Sequence, residues 1–215
     1  FMAGLMTCDK DKSDNVVKFI AEARAMGIDV LSPCVNESAA NFGVVQRPDG
    51  SKAIRFGLGG IRNVGGNAVD SIVNARDEEG NFKNIFEMCR RVDLKKVNKR
   101  TIEGLVSAGA LDSVAEGQER AAIVAAIESA VDQGMSSQRD RASGQRGLFD
   151  ALPEEESIFV EDYPQVEPWA PKETLLRERD ALGFYLTGHP LDRYQQDIDR
   201  HATVRTAELK KELAG

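Results

Sequence analysis

Five glycines crowd the stretch IRFGLGGIRNVGGNAVDSIVNAR, at Gly57, Gly59, Gly60, Gly65 and Gly66. Directly after them, Ala68, Val69, Ile72 and Val73 recur at helical spacing. A backbone freed by glycine just ahead of a helix leaves the first amide N–H groups of that helix without partners. With the positive end of the helix dipole behind them, those groups make a seat for phosphate. Arg62 and Arg76 stand close enough in sequence to add charge. The pattern predicts a helix-hairpin-helix element gripping a nucleic-acid backbone. Glycines before helices also serve as plain turns and caps, and on this stretch alone the two readings stand level. A dinucleotide fingerprint fits poorly. It needs G-x-G-x-x-G directly after a strand and an acidic residue about 20 positions on.

The chain has 215 residues, room for one large or two small domains. Hydrophobic residues at 41% suffice for a core, and 29% charged residues indicate a soluble protein. A net charge of −7 argues against a protein that coats nucleic acid wholesale, but not against a local basic face. Arg90, Arg91, Lys95, Lys96, Lys99 and Arg100 form such a face in sequence, broken only by Asp93, whereas the segment from Asp150 to Glu167 is acidic. Cys8, Cys34 and Cys89 are far apart, and with only His189 and His201 they offer no metal-ligand spacing. A reduced, cytoplasmic setting is expected, with no signal peptide and no membrane span. The start at Phe1 suggests a segment of something longer.

Helical and strand signals place these groups. Ser13 to Met26 reads as a helix that Ser13 can cap, stopped by Gly27, with a short strand at Ile28 to Leu31. Phe42 to Val45 and Lys52 to Phe56 read as a β-hairpin around Arg47-Pro48-Asp49-Gly50. The helix after the glycines ends near Gly80. Ile85 to Cys89 gives a short helix, and Asn98 caps another that Gly109 closes. This second helix–glycine–helix unit, running to Val131, would pair with the first and bring its basic lead-in beside the phosphate seat. A solvated helix face is the simpler explanation of such charges, but glycine hairpins on both sides shift the balance toward DNA.

From Gln133 to Gly147 the composition turns to Gln, Ser, Arg and Gly, which predicts a flexible linker. Within it lies Gln145-Arg146-Gly147-Leu148-Phe149. Leu148 and Phe149 either dock as a short linear peptide in a partner's pocket or fold back on this domain. A helix from Glu173 to Leu182 then leads to a turn at Gly188-His189-Pro190, where a lone histidine is more often structural. Asp197 and Asp199 sit in a polar helical run. No nucleophile–base pair or metal-holding carboxylate pair is evident.

Taken together, FMAGLMTCDK, MGIDVLSPCVNES, IRFGLGGIRNVGGNAV, VDLKKVNKRTIEGLVSAGALDS and ALGFYLTGHPLD resemble bacterial replicative DNA polymerases of family C, the DNA polymerase III alpha subunits, in their C-terminal half. The resemblance covers most of the chain except the linker and the last residues. It implies a mainly α fold, a tandem helix-hairpin-helix core with a short β-hairpin and a flexible linker. Residues 1–45 would finish the fingers domain, and 46–131 would be the tandem duplex-binding region. Residues 132–167 would be the linker with a sliding-clamp motif, and 168–215 a helical lead-in to a downstream oligonucleotide-binding barrel.

The resemblance also implies the roles. Gly60, Arg62, Asn63, Gly65, Gly66, Asn67, Lys95, Lys96, Lys99 and Arg100 would hold the backbone of duplex DNA. Gln145 would hydrogen-bond at the rim of the clamp pocket, with Leu148 and Phe149 filling its floor. Other replicase subunits are implied partners. No cofactor is expected in this segment, because the magnesium-binding aspartates of the family lie in the palm, upstream of Phe1. One departure stands out. Asn63 occupies a position that is often glycine in such hairpins, and asparagine tolerates a left-handed backbone better than other side chains. Close phosphate approach and the monovalent cation that such hairpins often hold are thereby put in question. The runner-up is a stand-alone helix-hairpin-helix module of a repair or recombination protein. A third reading is an interaction domain with no DNA role.

Overall fold

The computed structural model describes residues 1–10, 12–142 and 161–201. Helix α1 (Met2–Cys8) packs against α2 (Ser13–Ala25), whose buried stripe is Val16, Ile20 and Ala23. Lys12, not Ser13, holds the capping position of α2, and no side chain caps it. The Ser13 hydroxyl instead fills the space where a Cβ on Gly183 would stand. At the other end Gly27 turns left-handed, with φ at 75°. Its N–H reaches Arg24 O at 3.0 Å and the Ile28 N–H reaches Ala23 O at 2.8 Å, so the last carbonyls are satisfied.

Strands β1 (Val30–Leu31), β2 (Gly43–Gln46) and β3 (Lys52–Arg55) form one sheet in the order β1-β3-β2. The expected hairpin is present as the antiparallel pair β2–β3, with Val44 opposite Ile54. Strand β1 joins it in parallel, placing Val30 opposite Ile54. A single 3-10 turn, Leu58–Gly60, stands where the first hairpin's leading helix would be, and α3 (Gly66–Glu79) follows. The turn is short because its glycines are pressed into the sheet end: a Cβ on Gly59 would lie 2.8 Å from Ala40 O. Gly80, with φ at 87°, ends α3.

Helices α4 (Ile85–Arg91) and α5 (Lys99–Ser107) begin on Asn84 and Asn98, whose side chains accept the N–H of Glu87 and Thr101. Gly109, with φ at 79°, turns the chain after α5. Helix α6 (Arg120–Ala142) then lies across α4 and α5. Phe86, Met88, Ile102, Leu105, Leu111 and Ile123 are fully buried between them. Burying a side chain of this size contributes about 1.5–3 kcal/mol.

The linker expected from residue 132 is corrected over its first part, because α6 continues to Ala142. Polar and small residues there serve close packing. Gly134 faces the end of α4, and a Cβ on it would lie 2.5 Å from Cys89 O. Gln138 donates to Cys89 O at 3.2 Å and Val92 O at 2.8 Å, pairing carbonyls that a helix end leaves without partners. Where the described chain resumes, Glu161 accepts from Asn84 at 2.7 Å and the Tyr163 ring stands edge-on to Phe86 at 5.3 Å.

Helix α7 (Pro171–Leu182) packs on α5, and its following turn buries Phe184 and Leu186 in the main core. Residues 171–186 thus join the core. Helix α8 (Gln195–His201) is the polar run expected around Asp197. The fold is mainly α, with one small mixed sheet.

Candidate nucleic-acid interface

The glycine run divides into two kinds of position. Gly57, Gly59 and Gly60 allow tight packing, and a Cβ on Gly60 would stand 2.8 Å from the Phe56 ring. The Gly60 N–H donates to Gly57 O at 3.1 Å, so Gly60 serves the turn and offers no amide to a phosphate. Gly65 and Gly66 are exposed, with nothing within 4 Å of a Cβ built on either. Gly65 takes the capping position of α3 with extended dihedrals, φ −73° and ψ 158°. No side chain caps that helix, and its first turn carries no acidic residue. Exposed Asn67 sits in the same turn. An uncapped helix start with open glycines in front of it gives an anion room, amide donors and a favourable dipole.

Asn63 adopts the left-handed conformation with φ at 65°, as its place in the hairpin requires. Its carbonyl accepts the Thr101 hydroxyl at 3.1 Å, and a Cβ on Gly104 would lie 3.0 Å from Arg62 O. Helix α5 therefore leans directly on the first hairpin, and Arg100 and Asn63 line one hollow of about 250 Å³. Arg62 is exposed, yet it turns toward α7: its guanidinium lies 3.4 Å from Asp180 O.

Lys95, Lys96, Lys99 and Arg100 are all exposed, on the loop before α5 and in its first turn. The loop is fixed to α3, because the Asp93 N–H donates to the Ser71 hydroxyl at 2.8 Å. Asp93 shapes it further by accepting the Lys95 N–H at 3.0 Å. That bond first, and Lys96 after it, hold the Asp93 carboxyl below the usual carboxylate range. Lys96 pairs with Asp93 at 3.2 Å and Lys99 with Glu128 at 2.8 Å. The bond between Lys99 and Glu128 raises the pKa of the amine and lowers that of the carboxyl. Both pairs are solvent-exposed and of the weak, exchangeable kind.

Three arginines suggested by sequence position take up structural duties. Arg76 donates to Ser38 O at 2.8 Å and Arg90 pairs with Glu161 at 2.6 Å. Arg91 lies over the Phe82 ring at 4.5 Å and donates to Ala75 O and Gly80 O at 2.6 Å each, with its side chain only 3% exposed. Thr101, Gly104 and Ser71, which join the two units, were not singled out by the sequence pattern. Thr101 had a signal, as the third residue after the cap Asn98. Gly104 and Ser71 had none.

Gln145, Leu148 and Phe149 lie outside the described residues. The chain on either side of them is fixed to α4, through Gln138 before and Glu161 after. Among the described residues no helix is long and apolar enough to cross a membrane. No three His, Cys, Asp or Glu converge among them to hold a metal.

Comparison with known proteins gives these features a family. Residues 27–123 match the helix-hairpin-helix motif model. DNA polymerase III subunit alpha of Vibrio cholerae is 40% identical over 97% of this chain. The same subunit of Pseudomonas aeruginosa is 38% identical over 98%, and that of Escherichia coli K12 36% identical over 94%. The chain spans only 17% to 19% of the length of these relatives. The motif match takes in the first hairpin and the second as far as the start of α6, and the similarity covers nearly the whole chain. The chain therefore belongs, by its similarity to one segment of these longer relatives, to the DNA polymerase III subunit alpha family.

Proposed function

We propose that this chain is the part of a replicative DNA-directed DNA polymerase that holds duplex DNA by its phosphates and ties the enzyme to a sliding clamp. The observation that carries the first half is the uncapped start of α3, with Gly65 and Gly66 open in front of it. Lys95 and Lys96 stand on a loop bonded to that same helix, and Arg100 shares a hollow with Asn63. Amides and lysines of this kind bind backbone and read no sequence. In this reading nucleotidyl transfer and its magnesium belong to a palm domain elsewhere in the polymerase. The residues here bind and orient duplex in the cytoplasm, alongside other replicase subunits.

The clamp half rests on Gln145, Leu148 and Phe149, whose spacing resembles an internal clamp motif. The described residues on either side of it, Gln138 and Glu161, both bond to α4 or its end.

Two titrations of the full chain test the proposal. Affinity for a duplex should fall with salt at a slope of about −0.9 per phosphate contact, and Lys95→Ala with Lys96→Ala should flatten that slope by about two contacts. Strong dependence on base sequence would contradict a backbone grip. A purified bacterial sliding clamp should bind the chain and lose it on Gln145→Ala with Phe149→Ala. Duplex binding without clamp binding would favour a clamp-independent module of a repair or recombination protein.

A further inference from the structure

The motif Gly183-Phe184-Tyr185-Leu186-Thr187-Gly188-His189-Pro190 takes no part in the phosphate face, yet its contacts converge on the hairpin that does. We propose that α7 and this turn are a brace for the first hairpin. Glu178 is its latch and Arg62 the residue it grips, and both are positioning residues for duplex binding. The inference rests on the proposed role of the α3 start as a phosphate seat.

Glu178 is fully buried. A buried carboxylate is costly unless donors surround it. Here the donors all come from the following turn. The N–H groups of Leu186 and Thr187 reach Oε1 at 2.6 and 2.9 Å, and the Thr187 hydroxyl reaches Oε2 at 2.6 Å. The carboxylate therefore stabilises one conformation of that turn. Gly183 permits it, ending α7 in the left-handed region at φ 90°.

The folded turn then reaches the hairpin by two routes. Phe184 packs 6.0 Å from Phe56, and the Phe56 ring occupies the space beside Gly60. On the polar side, the Arg62 N–H donates to Ala181 O at 2.8 Å and its guanidinium to Asp180 O at 3.4 Å. Both carbonyls lie in the last turn of α7, where a helix leaves acceptors without partners and favours a cation. Arg62 caps α7 mainly through its backbone N–H, and its exposed guanidinium faces the same helix end. Arg24 adds a bond from α2 to Leu186 O at 2.8 Å, fixing the turn from its other side.

A salt series separates a brace from a phosphate ligand. The full chain and its variants Arg62→Ala, Thr187→Val and Glu178→Gln are titrated with one duplex, and hydrogen exchange is followed at amides 61–66. Thr187→Val should weaken binding about three- to tenfold, and Arg62→Ala, which keeps the backbone N–H bond to Ala181 O, about two- to threefold, with the slope of log affinity against log salt unchanged in both. Amides 61–66 should exchange faster in both. Glu178→Gln retains the shape of the side chain and should have the smallest effect. Thr187 is exposed, so its variant keeps the test valid if a harsher change at Glu178 prevents folding. A slope flatter by about 0.9 in Arg62→Ala would make Arg62 a phosphate ligand and overturn the brace. Unchanged affinity in folded variants would overturn it too. Absence of any salt-dependent binding by the unsubstituted chain would overturn the DNA reading beneath it.

Discussion

Helices α3 and α5 start side by side and are built in opposite ways. Helix α5 is closed by its own sequence: Asn98 accepts the Thr101 N–H at 3.0 Å and satisfies part of the helix end internally. Helix α3 starts on Gly65 with no side-chain cap and open space in front of it. One start is finished within the chain, and the other is finished only by a ligand or by water. Charge is arranged to match. Lysines and an arginine surround the capped start, against the positive end of its dipole, and leave the open start clear for an anion. In the proposed backbone grip, one end would supply donors and the other field.

The sharpest way to break this contrast is to cap the open helix. Gly65→Asp fits the extended dihedrals at that position and meets no atom within 4 Å. It should preserve or raise the melting temperature, since aspartate caps better than glycine by a few tenths of a kcal/mol. Duplex affinity should nevertheless fall by about tenfold or more, because a carboxylate then occupies the anion seat. A variant that kept full affinity would show that α3 does not hold phosphate.

The reverse change comes next. Asn98→Ala should destabilise the fold by about 1 kcal/mol, about 2–4 °C in melting temperature for a chain of this size, with the salt slope of duplex binding unchanged. A flattened slope would mean that the capped start also touches phosphate.

A smaller effect sharpens the comparison on the charged side. Lys99→Met should weaken duplex binding by a few-fold and flatten the salt slope by about 0.9. The melting temperature should hold, because the Lys99–Glu128 pair is exposed. A fall in melting temperature would mean that the pair is structural.

The smallest effect is the acid dependence of that pair. Its bond to Lys99 lowers the Glu128 pKa, so the pair's contribution is present above the ordinary carboxylate pKa of 4.5 and is lost as pH falls through the lowered value. Glu128→Gln should remove that acid dependence and lower neutral-pH stability by the same small amount that the exposed pair contributes, as acid-titrated melting curves would record. Identical acid profiles with and without Glu128 would argue that solvent already screens the pair.

Much of this was legible in the chain because it is local. The cap Asn98, the stops at Gly27, Gly80 and Gly109, and the β2–β3 hairpin follow from residue type within a few positions. The left-handed Asn63 was readable for the same reason. Composition misled where polar residues pack against something distant. Gly134 and Gln138 look like linker residues until the end of α4 is brought against them, and then one permits contact and the other supplies hydrogen bonds. Arg91 looks like a DNA contact until Phe82, Ala75 and Gly80 surround it.

By itself, then, the sequence determined most of the helices, the cap at Asn98, the glycine hairpin and the family. These depend on backbone sterics and periodicity, which act over one or two turns. Tertiary structure alone decided which glycines are packed and which face solvent, since that depends on Phe56 and Ala40 arriving from elsewhere. It also decided that Arg62 caps α7 and that Glu178 finds three donors in the turn beyond it. A charge is assigned to solvent, phosphate or a helix end by what surrounds it in space, and sequence neighbours do not fix that.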